Sequence, residues 1–336
     1  MLLLLLLLQV SASCLWLGRS EVVTSFESSC PQFFFRETPP NEAIEPESPA
    51  WICQRYKNQY YFATLYDRNR RIPVYSAYIY QPGPGKRPKT WLVEPQVPLA
   101  TNASGLVQKD LCKLQRPPKH PSDKLQTFSK NGQANYGTEE EIQVIARDTV
   151  AVGNLADGSN LSQNYEREWT LLNYFNISLE QLSKSQAILQ DYKNLTGLNR
   201  GHLNPSGHHS DSSSRTATFT LTNIVPQDEK LNGGTWNNYE QQTMIRKTQG
   251  CNTTYVVVGA VPGNNYIAKG RVNKPSYLWS SACCEVDTNH RKAWAVIAEN
   301  DNNKVQLLTL GELEDVLTQL YGRDRVSLFD GDCPRE

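Results

Sequence analysis

Two neighbouring stretches, Tyr60 to Tyr66 and Ile72 to Tyr80, carry the aromatic and β-branched side chains of strands. The polar run Asp67 to Arg71 between them reads as a turn, so the pair predicts a hairpin. Proline and glycine break the pattern from Gln81 to Pro88, after which Trp91-Leu92-Val93 begins another short strand. Thr138-Glu139-Glu140-Glu141 ahead of Ile142, Val144 and Ile145 has the order of a capping box and predicts a helix start. A second helix is expected over Leu179 to Leu189, a strand over Thr216 to Val225, and a helix over Trp236 to Lys247 entered from the turn Asn232-Gly233-Gly234. Tyr255 to Val261 and Lys292 to Ala298 are apolar enough to be buried strands. Gln306 to Leu310 and Leu313 to Tyr321 read as a short strand and a closing helix.

No internal repeat is visible. Residues 21 to 50 are acidic and proline-bearing and read as a surface arm, and residues 51 to 336 as one α+β domain, a mixed sheet with flanking helices. Hydrophobic residues at 39% and charged residues at 20% describe an ordinary globular chain and exclude disordered and collagen-like classes. The 34 basic and 34 acidic residues cancel, so affinity for a polyanion has to come from a local basic groove.

Met1 is followed by seven leucines and then by a run ending in small residues near Ser20, which predicts a cleaved signal peptide over residues 1 to 20. No later run reaches transmembrane length and the C-terminal residues are polar, so the expected product is secreted and extracellular. Five sequons, at Asn102, Asn160, Asn176, Asn194 and Asn252, suit an exported glycoprotein. Beyond Cys14, seven cysteines remain, which permits three disulfides and one leftover thiol with connectivity open. None has the paired spacing of a zinc site.

The chemistry concentrates between residues 186 and 261. Asn199-Arg200-Gly201-His202 is followed by Thr222-Asn223-Ile224-Val225-Pro226-Gln227, then by Asn232, Trp236 and Glu240. Each motif is weak alone, but Asn232 nine residues after Asn223 and Glu240 eight beyond that are hard to obtain together by chance. In this order they resemble the DNA/RNA non-specific endonuclease family of ββα-metal nucleases. The Cys283-Cys284 pair and the run Leu92 to Gln96 resemble a vertebrate branch of that family.

The resemblance implies a ββα-metal finger as active site, DNA and/or RNA as substrate, and a divalent cation: Mg2+, or else Mn2+ or another such ion. His202 would be the general base, suited by a titration range near neutrality. Asn232 would be the direct ligand of a Mg2+ ion that keeps most of its waters, with Glu240 holding those waters. Arg200 would face the phosphate as a guanidinium fork, Asn223 would be a second active-site amide, and Lys86, Arg87 and Lys89 stand where relatives supply a phosphate contact. Phosphate contacts carry affinity without base information, so such a site is sequence-nonspecific.

One position departs from the pattern. The family's Asp is Asn199 here, which removes a negative charge that would organise the loop or the outer waters of the metal. The alternative reading is therefore a weakened or inactive secreted glycoprotein that uses the fold for binding. His208, His209 and Asp211 lie nearby and read as a polar loop in preference to a second metal site.

Overall fold

The computed structural model describes residues 21–57, 59–93 and 178–336. Strand β1 (Glu21–Val23) and helix α1 (Phe26–Ser29) lead through short 3-10 turns to β2 (Pro49–Tyr56). The predicted hairpin follows as β3 (Gln59–Asp67) and β4 (Ile72–Ile79). After residue 178 come α2 (Leu179–Ser185), β5 (Leu198–His202), α3 (Ser212–Ala217), β6 (Ile224–Asp228) and α4 (Glu229–Gly233). A longer helical stretch is built from α5 (Thr235–Asn238), a π turn (Tyr239–Thr243) and α6 (Met244–Lys247). The chain closes with β7 (Thr253–Val261), β8 (Asn265–Ile267), β9 (Val272–Lys274), β10 (Tyr277–Glu285), β11 (Arg291–Glu299), β12 (Gln306–Leu308) and α7 (Leu310–Tyr321).

Eight strands form one sheet in the order β1-β2-β3-β4-β7-β10-β11-β12, and each of its pairs is antiparallel. The class is α+β, with helices covering both faces. Successive strand residues point to opposite faces, and β7 shows the consequence. Val256, Val258 and Ala260 face one apolar layer while Val257 and Val261 face the other. The first layer holds Leu182, Leu203, Ile224, Trp236 and Met244 beneath β5, β6 and the helical stretch. The second holds α7, whose ends are set by a Thr309–Glu312 capping box and by Gly322 in the left-handed region.

Residues 21 to 50 depart from the surface-arm expectation. Phe26, Phe33, Phe34, Phe35 and Ile44 are all buried against the second layer, and Cys30 is bonded to Cys53 on β2. Glutamates and prolines dominate the composition of this stretch, but the phenylalanines decide its packing. Cys283 and Cys284 also follow strand alternation: Cys284 is bonded to Cys251 on the first face, and Cys283 to Cys333 on the second.

The strand expected over Thr216 to Val225 is instead the end of α3, a 3-10 turn (Leu221–Asn223) and the start of β6. Asp211 starts α3 by accepting from the amides of Ser213 and Ser214, and this cap outweighs the β-branched residues that follow. The helix expected over Leu179 to Leu189 ends at Ser185 and gives way to a 3-10 turn. The expected helix at Thr138 and the cysteine at 112 lie outside the described residues, as do residues 1 to 20. Among the described residues, no helix is long and apolar enough to cross a membrane.

Candidate active site

β5 and β6 form a two-stranded antiparallel ribbon separate from the large sheet. Arg200 and His202 share one face of β5, and Asn199 and Gly201 share the other. Gly201 is needed where it stands, because a Cβ there would meet the Gln227 side chain, whose own Cβ would lie only 2.6 Å away. The corner after β6 is held by Asn300, which accepts from the Asp228 amide at 2.8 Å and donates to the Pro226 and Pro275 carbonyls at 2.9 Å each. Asp228 then caps α4 through the amides of Lys230 and Leu231. Asn232 sits inside α4 near its end, not in the turn that its glycine neighbours suggested. The next helix begins where Asn303 accepts from the Thr235 amide at 2.8 Å, an approach that a side chain at position 234 would obstruct.

These elements converge on one open cleft. Arg87, Arg200, His202, Asn232 and Glu240 line it, together with Asn237 and Gln241. It encloses about 510 Å³ of empty space, open solvent included. Lys86 and Lys89 are exposed and do not line the cleft, so the structure singles out Arg87 from the three basic candidates.

The His202 ring packs between two aromatic side chains that the sequence pattern did not mark as part of the site. Trp91 lies 5.2 Å away, tilted by 31°, and Phe219 lies edge-on at 4.7 Å. The same two rings carry the arginines, with Arg200 5.3 Å over Trp91 and Arg87 5.4 Å over Phe219. Such stacking fixes a long cationic side chain without using its hydrogen-bond donors. Burial, and secondarily the charge of Arg87, push the imidazole down to about 3, so His202 is neutral at physiological pH. Its Nε2 is enclosed and has no hydrogen-bond partner.

Glu240 lies at the start of the π turn, and its Oε1 accepts from the Trp236 indole at 3.0 Å. Burial raises its carboxyl to about 8, with the Trp236 bond and Arg87 opposing the shift. Asn232 adds an amide with no hydrogen-bond partner among the described residues. One carboxylate and one amide are hard oxygen donors, and they fit a divalent ion that keeps most of its waters. Among the described residues no cluster of three His, Cys, Asp or Glu side chains forms a cage of protein ligands.

Asn223 is placed differently from the cleft residues. Its Oδ1 accepts from Ser76 Oγ at 2.9 Å and from the Asn204 amide at 3.0 Å, and its Nδ2 donates to the carbonyls of Asn204 and Thr218 at 2.9 Å each. With this bonding capacity filled, the side chain is a buried clamp joining β4 to the segment after His202, and it does not line the cleft. Asn199 is exposed and also stands outside the cleft lining. His208 and His209, read from sequence as part of a polar loop, are buried. His209 bonds Asn204 Oδ1 at 2.7 Å, and His208 bonds both the Tyr78 hydroxyl and the Glu240 carbonyl. The sequons at Asn194 and Asn252 are exposed, whereas those at Asn102, Asn160 and Asn176 lie outside the described residues.

Comparison with known proteins identifies the family of the fold. The model of the DNA/RNA non-specific endonuclease family matches residues 118–327, and the chain belongs to that family. The endonuclease domain-containing 1 protein of Homo sapiens is 27% identical over 292 residues, which span 86% of this chain and 45% of that protein. Its counterpart in Mus musculus is 25% identical over 309 residues, 90% of this chain and 47% of that protein. Over a shorter stretch of 55 residues, 16% of this chain and 15% of the relative, the mitochondrial nuclease EXOG of Homo sapiens is 47% identical. The chain spans about half the length of the two endonuclease domain-containing relatives. Family membership makes this a nuclease-type hydrolase fold with a place for a divalent metal.

Proposed function

We propose that the chain is a secreted, Mg2+-dependent, sequence-nonspecific endonuclease that hydrolyses phosphodiester bonds of DNA and/or RNA. The observation that carries this reading is the convergence of Arg87, Arg200, His202, Asn232 and Glu240 on one cleft. A phosphodiester held there meets two guanidinium groups, each braced by an aromatic ring. These groups bind the backbone without reading bases and stabilise the charge that grows on the phosphoryl oxygens.

His202 removes the proton from the attacking water, since a neutral imidazole has the free lone pair that the step requires. Arg87 is one of the two causes that hold its basicity down, and a phosphate seated against Arg87 offsets that contribution. The base therefore strengthens when substrate is in place. Asn232 and Glu240 would hold a divalent ion through its waters, and such an ion, when bound, would supply Lewis-acid stabilisation of the charge that develops in phosphodiester hydrolysis. Trp236 fixes the Glu240 carboxyl for that task.

Secretion is supported by the leader-like N-terminus and by three disulfides. The test is incubation of the purified chain with supercoiled plasmid and with RNA in Mg2+ and in EDTA. Cleavage in Mg2+ alone is expected, and no cleavage under Mg2+, Mn2+ or other divalent ions would defeat the reading.

A further inference from the structure

Glu240 is held at two points. Trp236 fixes its side chain, while its backbone carbonyl is bonded at 2.9 Å by Nε2 of His208. A carbonyl oxygen can only accept, so Nε2 of His208 carries the proton and Nδ1 accepts from the Tyr78 hydroxyl at 2.9 Å. Tyr78 belongs to β4, near the middle of the large sheet, and both it and His208 are buried. The Tyr80 ring meets the imidazole edge-on at 4.7 Å and fixes its plane. A continuous hydrogen-bonded path thus runs from the sheet through buried Tyr78 and His208 to the backbone of Glu240.

The path ends on a π turn, the one irregular stretch of that helix. A π turn widens the helix by one residue and leaves carbonyls without their usual helical donors. His208 supplies a donor at that position. We infer that His208, oriented by Tyr78, is a positioning residue for the metal site: it holds the π turn so that the Glu240 carboxyl faces the cation bound at Asn232. This inference rests on the proposed nuclease reading and extends it to a residue that touches neither substrate nor cation.

The test measures Mn2+ binding directly, by the electron paramagnetic resonance signal of the free ion, on the full chain without nucleic acid. His208→Leu fills similar space and removes both bonds, and it is expected to weaken the Mn2+ midpoint about tenfold or more. His208→Gln restores a donor near the Nε2 position and is expected to return within about threefold of the unaltered chain. Affinity for an oligonucleotide in EDTA should stay within about twofold, because Arg87 and Arg200 are untouched. An unchanged Mn2+ midpoint in folded His208→Leu overturns the inference even if that variant melts earlier. If that variant fails to fold, Tyr78→Phe removes only the hydroxyl, with a weakening of about threefold or more expected and no change overturning the inference. Absence of Mn2+ binding by the unaltered chain would defeat the nuclease reading itself, and this inference with it.

Discussion

Asn199 stands directly opposite Gln227 across the β5–β6 ribbon, on the strand face turned away from Arg200 and His202. The position at which this chain departs from its family's motif is therefore exposed and outside the cleft lining. Loss of a carboxylate there leaves Asn232, Glu240 and the two arginines as they are. Asn199→Asp is expected to change plasmid cleavage by less than about threefold, since an exposed charge is well screened by solvent. A gain of a hundredfold would show that the native asparagine silences the site.

Gly201 permits the close crossing of β5 over Gln227, so the hairpin geometry depends on it. Gly201→Ala forces the Gln227 side chain, including its Cβ, to move. A loss of about 1–3 kcal/mol is expected, as for other overpacked sites. Chemical denaturation measures it, and cleavage should fall at least tenfold because His202 is the next residue. Full stability would contradict the crossing.

Arg87 should behave unlike its two basic neighbours. Arg87→Ala is expected to weaken binding to DNA and RNA alike and to reduce the salt dependence of binding by about one phosphate contact. Lys86→Ala and Lys89→Ala, outside the cleft, should change either quantity little. A salt titration of oligonucleotide affinity in EDTA separates the three.

Glu240 and the buried histidines give opposite pH dependences. Burial raises Glu240 to about 8 from the ordinary 4.5, so without a cation its protonated form prevails at neutral pH, and its own contribution to fold stability is lost as pH rises from 4.5 through 8. Cation binding must displace that proton. The Mn2+ midpoint is therefore expected to tighten with pH up to about 8, by at most about tenfold per unit, and to lose this dependence in Glu240→Gln. His202, His208 and His209 lie at about 3, 4 and 3, each lowered chiefly by burial from 6.5. The unfolded chain then takes up protons first, so their contribution is complete above 6.5 and is lost as pH falls toward 4. Melting between pH 6.5 and 4.5, where three histidines outweigh the one opposing carboxyl, should show the decline, with a shallower slope in His209→Gln.

Much of this arrangement was legible in the sequence, for physical reasons. The β3–β4 hairpin, β7, β11 and α7 carry long apolar or β-branched runs bounded by turns, and they lie where the pattern placed them. β10 was missed because serines and cysteines interrupt its apolar residues, although Ser280, Ser281 and both cysteines are buried. Motif order grouped Arg200, His202, Asn232 and Glu240, and the structure brings all four to one cleft, since each occupies a short local element. Trp91 was not legible, because its packing against His202 and Phe219 joins segments more than a hundred residues apart, and Phe219, only 17 residues from His202, lies outside the motif residues. Asn223 carried a motif signal that could not distinguish a filled buried clamp from a side chain open to substrate.

The central claim is that His202 acts as the base in a cleft whose metal and phosphate sites stand independently of it. Single-turnover cleavage of a labelled duplex in Mg2+, comparing the unaltered chain with His202→Ala, tests this most directly when Mn2+ binding is measured on the same samples. The rate is expected to fall by about 10²–10⁴-fold, with the Mn2+ midpoint held within about threefold. Cleavage by His202→Ala at the rate of the unaltered chain, with the metal bound as before, would contradict the account.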